Sequence, residues 1–214
     1  MTNISVTAMI QLLASLVAVS LLALPAAGAP SASEILNRVT TASASIPNMT
    51  ADVLFKLWKG KPSGDPECVF TGTMVVQAGH PAVQMAHGGT SLLCGALNHY
   101  VVGRLFDASE PMASFLDRFD FTVVSDKQVG ADTYYQIQGA ARNPKNNPRG
   151  MSAWVDYDTG LITEGTLQYD WGTVDIQQDY SSLNNVWVMT LQTVRSSNYA
   201  ATLQVVYSNF HLTP

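Results

Sequence analysis

Beyond Asn48 the chain changes period. Apolar side chains recur at every second position, and that alternation commits most of the sequence to half-buried β-strands. Met49, Ala51, Val53, Phe55 and Leu57 share one face of an extended segment; Thr50, Asp52, Leu54, Lys56 and Trp58 share the other. Residues 60–66 (GKPSGDP) read as a loop. Cys68, Phe70, Gly72, Met74 and Val76 then form a second apolar face, with Glu67, Thr71, Thr73 and Gln77 opposite. Gly79, His80 and Pro81 turn the chain, Val83 and Met85 alternate with Gln84, and Gly88 with Gly89 turns it again. Residues 91–106 are apolar and read as two short strands around Asn98. Strands at 121–129 and 133–140 are joined by Gly130, Ala131 and Asp132, and residues 142–150 form a polar exposed loop. From Gly150 a meander is expected, with strands at 151–157, 161–169, 173–180, 186–195 and 200–210. Short turns at regular spacing imply that consecutive strands pair antiparallel.

Two segments carry the helical period instead. Ser31 and Glu34 fit a capping box, and Ile35, Val39, Ala42 and Ile46 follow at three- and four-residue spacing until Pro47. Between Asp107 and Phe119, Ser109 reads as a cap, Pro111 as a first-turn residue, and Met112, Phe115, Leu116 and Phe119 as a stripe. The fold class is therefore mainly β with two or three short helices. About ten strands make an open sheet that curls, and two short helices cover only part of it. The expectation is a curled antiparallel half-barrel with a concave apolar face, which is a pocket by geometry.

The first residues read as a targeting segment. Met9 to Leu24 is apolar apart from Gln11, Ser15 and Ser20, and the small residues Ala26, Ala27, Gly28 and Ala29 follow Pro25. The run is shorter than the roughly 20 residues of a spanning helix. Residues 1–28 are taken as a signal peptide and 29–214 as a single exported domain; an uncleaved membrane anchor is the alternative. Charged residues make up 13% of the chain, against roughly 25% in average proteins. With a net charge of −5 and no basic run, the sequence argues against nucleic acid as a partner. Cys68 and Cys94 are the only two cysteines. In an exported chain they read either as a disulfide or as two buried thiols on neighbouring strands.

This order of elements resembles the outer-membrane lipoprotein carrier (LolA-like) family, with its lipoprotein-sorting relatives and regulatory proteins of similar shape. Ser33 to Val39 (SEILNRV) followed by Met49 to Val53 (MTADV) is similar to the family's opening helix and first strand. Trp154 to Leu161 (WVDYDTGL) is similar to its W-[VI]-D-x-x-T-G-L strand and turn. Val186 with Trp187, and Tyr207 to Leu212 (YSNFHL), resemble its last strands. Residues 60–106 match nothing in the family. The resemblance implies a half-barrel under a helical lid that shields acyl chains or a lipid-like ligand in the periplasm.

No catalytic signature is present. Of the histidines His80, His87, His99 and His211, the first two stand seven apart around a turn and lack the spacing of a zinc site. Asp156 and Asp158 lack the spaced oxygen ligands of a calcium loop, and a turn capped by Asp158 accounts for them. Glu164 and Asp170 face no partner identifiable from sequence. Methionine is the more telling residue, at Met49, Met74, Met85, Met112, Met151 and Met189, because its side chain adapts to varied apolar ligands. The predicted ligand-binding wall comprises Val53, Phe55, Leu57, Phe70, Met74, Val76, Met85, Met112 and Phe115, with Trp58 and Trp187 either lining its rim or simply packing. The expected function is that of a non-enzymatic periplasmic carrier or binding protein, without cofactor or metal. Its expected partners are a lipid or lipoprotein acyl chain and a membrane-bound donor or receptor protein. The alternative is an envelope signalling module of the same fold.

Overall fold

The alternation resolves into one ten-stranded sheet. The computed structural model describes residues 28–77, 80–88, 94, 112–143, 145, 148–198 and 200–213. The amino-terminal apolar run, the strands expected within 91–106, His99, Ser109 and Pro111, and the side chains of His80, Met85 and His87 lie outside the described residues. Helix α1 (Ala32–Ala44) precedes β1 (Met49–Lys59), β2 (Cys68–Gln77) and β3 (His80–Gly88). The short helix α2 (Met112–Leu116) precedes β4 (Phe119–Val129), β5 (Asp132–Ala141) and β6 (Gly150–Asp156). The meander ends with β7 (Ile162–Tyr169), β8 (Gly172–Leu183), β9 (Val186–Ser196) and β10 (Ala201–Leu212). Every pairing is antiparallel, and the strand order is β3-β2-β1-β10-β9-β8-β7-β6-β5-β4. The sheet is curled and unclosed, with β3 and β4 at its edges.

Each helix and turn has a local cause. The Ser31 hydroxyl accepts from the Glu34 amide at 3.3 Å, and the Glu34 carboxylate accepts from the Ser31 amide at 2.6 Å. Two of the helix's free amino-terminal donors are thereby satisfied. The Ser31 amide, then its hydroxyl, holds the Glu34 carboxyl below its ordinary range. The helix stops at Ala44, so Ile46 packs with the strands of the other half of the sheet rather than with Ile35 and Val39. The mid-chain helix is shorter than expected: Phe119 already belongs to β4. At the β8–β9 hairpin the turn tightens to Asn184 and Asn185, both left-handed at φ 52° and 64°. That is the type I′ geometry that matches strand twist.

The turn after β6 corrects one expectation. Asp156, not Asp158, is the cap: its Oδ1 accepts from the amides of Asp158 at 3.0 Å and Thr159 at 3.2 Å. A carboxylate two and three residues before the donors has the reach of an Asx turn, and Asp158 follows too late to supply it. This turn carries α1. The Arg38 guanidinium lies 4.0 Å from the centre of the Tyr157 ring. Gly160, at φ +72°, is so close to the helix that a Cβ there would stand 2.5 Å from the Arg38 carbonyl oxygen.

Gly160→Ala is expected to unfold at lower urea concentration than the parent. The left-handed backbone alone costs a non-glycine residue about 1–2 kcal/mol, and the collision with α1 adds to it. Gly130→Ala, also left-handed at φ +65° but with nothing within 4 Å, should lose only the backbone part. Equal losses in the two variants would show that Gly160 does not seat the helix.

Candidate functional site

Strand pairing sets side chains in rows across the sheet. One row runs Ile137, Ala153, Gly165, Ile176, Val194, Leu203, Leu57 and Cys68, through eight strands from β5 to β2. It contains no polar side chain, and it defines the inner face. At one end Ile35, Val39 and Leu116 of the two helices cover Phe119, Ile137, Met151, Ala153 and Val155. Gly139 makes room there: a Cβ would sit 2.6 Å from the Phe121 ring, which lies 5.9 Å from Phe119. From there to the other end, residues of β1, β2 and β10 form a second apolar cluster with Val174 of β8, Val188 and Val194 of β9, and Cys94.

The expected wall residues divide between these clusters. Val53, Phe55, Leu57, Phe70, Met74 and Val76 lie together in the second, each 0–8% exposed. Phe115 packs in the first, and Met112 is 37% exposed on α2. The Met85 backbone pairs with Gly72. Trp58 is on the opposite face, covered by the 60–66 loop, and its indole N–H donates to the Gly64 carbonyl at 3.2 Å. Trp187 is 47% exposed in the β8–β9 hairpin. Cys68, the first residue of β2, is disulfide-bonded to Cys94 with a Cα–Cα distance of 5.7 Å. Glu164 and Asp170 both have partners: Lys127 at 3.0 Å, and Arg149.

Polar groups that the sequence reading missed lie beside this row on β8 and β9. The row Phe70, Phe55, Val205 continues into Gln192 and Gln178. The Tyr180 hydroxyl lies 3.0 Å from both the Gln178 Oε1 and the Ile162 carbonyl, either of which can accept its proton. Tyr207 is 4% exposed beside them. Burial raises the Tyr180 phenol above its ordinary value; burial and then the neighbouring Tyr180 raise that of Tyr207. The sequence held a signal for the glutamines: the alternation Val174, Ile176, Gln178 on β8 puts an amide at an inward position.

No protein-family model matches the chain, and no curated protein matches it in sequence. Solved structures do match. A LolA superfamily protein from Nitrosomonas europaea superposes with a TM-score of 0.52, over 87% of this chain and 95% of that one, at 10% identity. A DUF1329 family protein from Desulfovibrio piger gives 0.51, over 84% and 92%, at 11% identity. A domain from Vibrio parahaemolyticus, described as outer-membrane lipoprotein-sorting, gives 0.51, over 84% and 91%, at 7% identity. The shared property is architecture: an open antiparallel half-barrel with its helices on one face. This chain has the LolA-like fold.

Two measurements check the site. Replacing Cys68 and Cys94 by serine is expected to cost about 3–4 kcal/mol in the chain-entropy model for a loop of this length, read as a lower thermal midpoint; an unchanged midpoint would show that the bond does not support the fold. The tyrosines set an alkaline limit. Below pH 10.0, the ordinary phenol value, both states stay protonated and stability is at its full value. Above it the unfolded chain ionises first, so stability falls as pH rises toward the raised folded value. Tyr207→Phe should flatten that fall in thermal midpoints taken against pH, and an equally steep fall would place the phenol elsewhere.

Proposed function

We propose that this protein is an exported, periplasmic, non-enzymatic carrier or binding protein for a lipid-like ligand, in the first instance an acyl chain. The observation that carries the reading is the apolar row that crosses eight strands of an unclosed sheet. Such a face lets a long hydrocarbon lie across the strands, and each CH₂ removed from water contributes about 0.8 kcal/mol. The methionines suit this role: Met49, Met74 and Met151 are buried on that face and conform to chains of different shape. Among the described residues no helix is long and apolar enough to cross a membrane, and none of the His, Cys, Asp and Glu side chains form a group that could hold a metal ion. The description of the Vibrio parahaemolyticus domain as lipoprotein-sorting agrees with this reading.

Val53, Phe55, Leu57, Phe70, Met74 and Val76 are nearly inaccessible, so an incoming chain has to displace whatever covers them. Loading and release are then exchange steps: the ligand replaces protein contacts, and a membrane-bound donor or receptor competes for the chain. The polar group of Gln178, Gln192 and Tyr180 gives the face a place where a ligand's carbonyl or ester oxygen would find hydrogen-bond donors.

A charge on this face should expel the ligand, because an ionised carboxylate cut off from water costs several kcal/mol. Met74→Glu is expected to abolish binding of a fluorescent fatty acid while far-UV circular dichroism remains β-rich. Thr73→Glu, one residue along and on the other face, should bind as the parent does. Equal binding by both variants would mean that the ligand does not lie on β2. Failure of the parent itself to bind any apolar probe would make an envelope signalling module the better reading.

A further inference from the structure

The outer face of the sheet carries a feature that the acyl-chain reading leaves unused. A depression of about 370 Å³ crosses strands β5 to β9, a volume within the range of small-molecule sites. Its two walls are neighbouring rows of the same ladder. Gln136, Trp154, Glu164 and Gln177 form one. Thr166, Asp175 and Arg195 form the other. Rows two residues apart along a strand are separated by about 7 Å, and five strands span about 19 Å. The result is a trough one sugar ring wide and several rings long, running across the strands.

Its chemistry is unlike the rest of the chain. Only 13% of the residues are charged, yet Lys127, Glu164, Asp175 and Arg195 meet here, two of each sign. Lys127 is 3.0 Å from the Glu164 carboxylate and 4.3 Å from the centre of the Trp154 ring, so it fixes both. The Asp175 carboxylate accepts from the Thr166 hydroxyl at 2.8 Å. Arg195 stands opposite Asp175 across the β8–β9 ladder but makes no ion pair among the described residues. Among the described residues no hydrogen bond engages its five N–H donors either. The Gln136 oxygen accepts from Ser125 at 2.9 Å, which leaves its NH₂ group to donate.

We propose that this trough binds a neutral saccharide chain lying across the strands. Hydroxyl groups donate and accept at once, and the walls offer both in alternation: guanidinium and amide donors, carboxylate and hydroxyl acceptors. The planar side chains of Arg195, Asp175 and Gln136 suit adjacent pairs of ring hydroxyls. The Trp154 indole supplies the apolar surface against which a sugar's C–H groups pack. The balance of charge disfavours phosphate polymers, which need a basic surface. A peptide added as a strand would take an edge, β3 or β4, because the ladder beneath the trough is already paired on both sides. The site lies on the face opposite the apolar row, so it stands or falls independently of acyl-chain binding.

Isothermal titration calorimetry of the full chain with cellotetraose, maltotetraose and tetra-N-acetylchitotetraose tests the proposal. Binding of at least one is expected. Arg195→Met should weaken it about tenfold or more, the weight of hydrogen bonds from a charged donor. Thr166→Arg, which fills the trough, should abolish it. Both variants should keep the parent's thermal midpoint and its fatty-acid binding. Three outcomes overturn the proposal: no heat with any of the three sugars at millimolar concentration, parental affinity in either variant, or an Arg195-dependent association with anionic phospholipid vesicles in place of the sugars.

Discussion

Everything in this molecule depends on register. Side chains on a strand alternate with a period of two, so a slip of one residue would carry a strand's apolar set to the wrong face. The row from Ile137 to Cys68 exists because eight strands keep step. Register shifts are confined to bulges, at Thr50/Asp52, Thr71/Gly72, Val123/Ser125, Trp154/Val155 and Asp179/Tyr180. Bulges bend a strand and increase its local twist, which helps so wide a sheet to curl. At the first of them Asn209 takes the left-handed conformation, φ 51°, and its side-chain amide donates to the Asp52 carboxylate at 2.8 Å. The irregularity is held in place by its own hydrogen bond.

One ladder thus produces two surfaces of opposite character. The inner surface is apolar at both ends and carries amide and phenol groups in the middle. The outer surface carries the Lys127–Glu164 ion pair, the exposed Thr71 and Thr122 and the half-buried Trp154 indole. Two exceptions to the division share a local cover. Trp58 and Thr202 point outward yet are buried, because the 60–66 loop folds over them; the Thr202 hydroxyl donates to the Gly60 carbonyl at 2.6 Å. The loop anchors itself further through a hydrogen bond from the Gly60 amide to the Ala200 carbonyl.

The sequence made the scaffold legible because alternation is a local signal. Val53, Phe55 and Leu57, or Phe70, Met74 and Val76, declare a face without knowledge of their neighbours. The capping box at Ser31 and Glu34 is equally local. What was hidden depends on which strands meet. Nothing in the order of residues says that Glu164 lies beside Lys127, or that Arg195 stands across from Asp175. Phe115 and Met112 have the composition of pocket wall, but α2 sits over the first apolar cluster and not the second. The cap at Asp156 was misassigned for a subtler reason: Asp156 and Asp158 are both reasonable turn residues, and only the path of the chain shows which one faces the free amides.

The place where β1 and β10 meet has a bearing on how the inner face is completed. β1 and β10 are not edges; they lie side by side within the sheet, each flanked on its other side by a further strand. Asp52 and Asn209, bonded across this junction, are 157 positions apart. Closing so long a loop is entropically slow relative to hairpin formation. Until β10 has paired, β1 to β3 can pair only among themselves, β4 to β9 only with one another, and the long apolar row stays in two pieces. The continuous inner face therefore waits on the slowest contact of the sheet. Anything that binds across all eight strands has no surface to bind until that one junction closes.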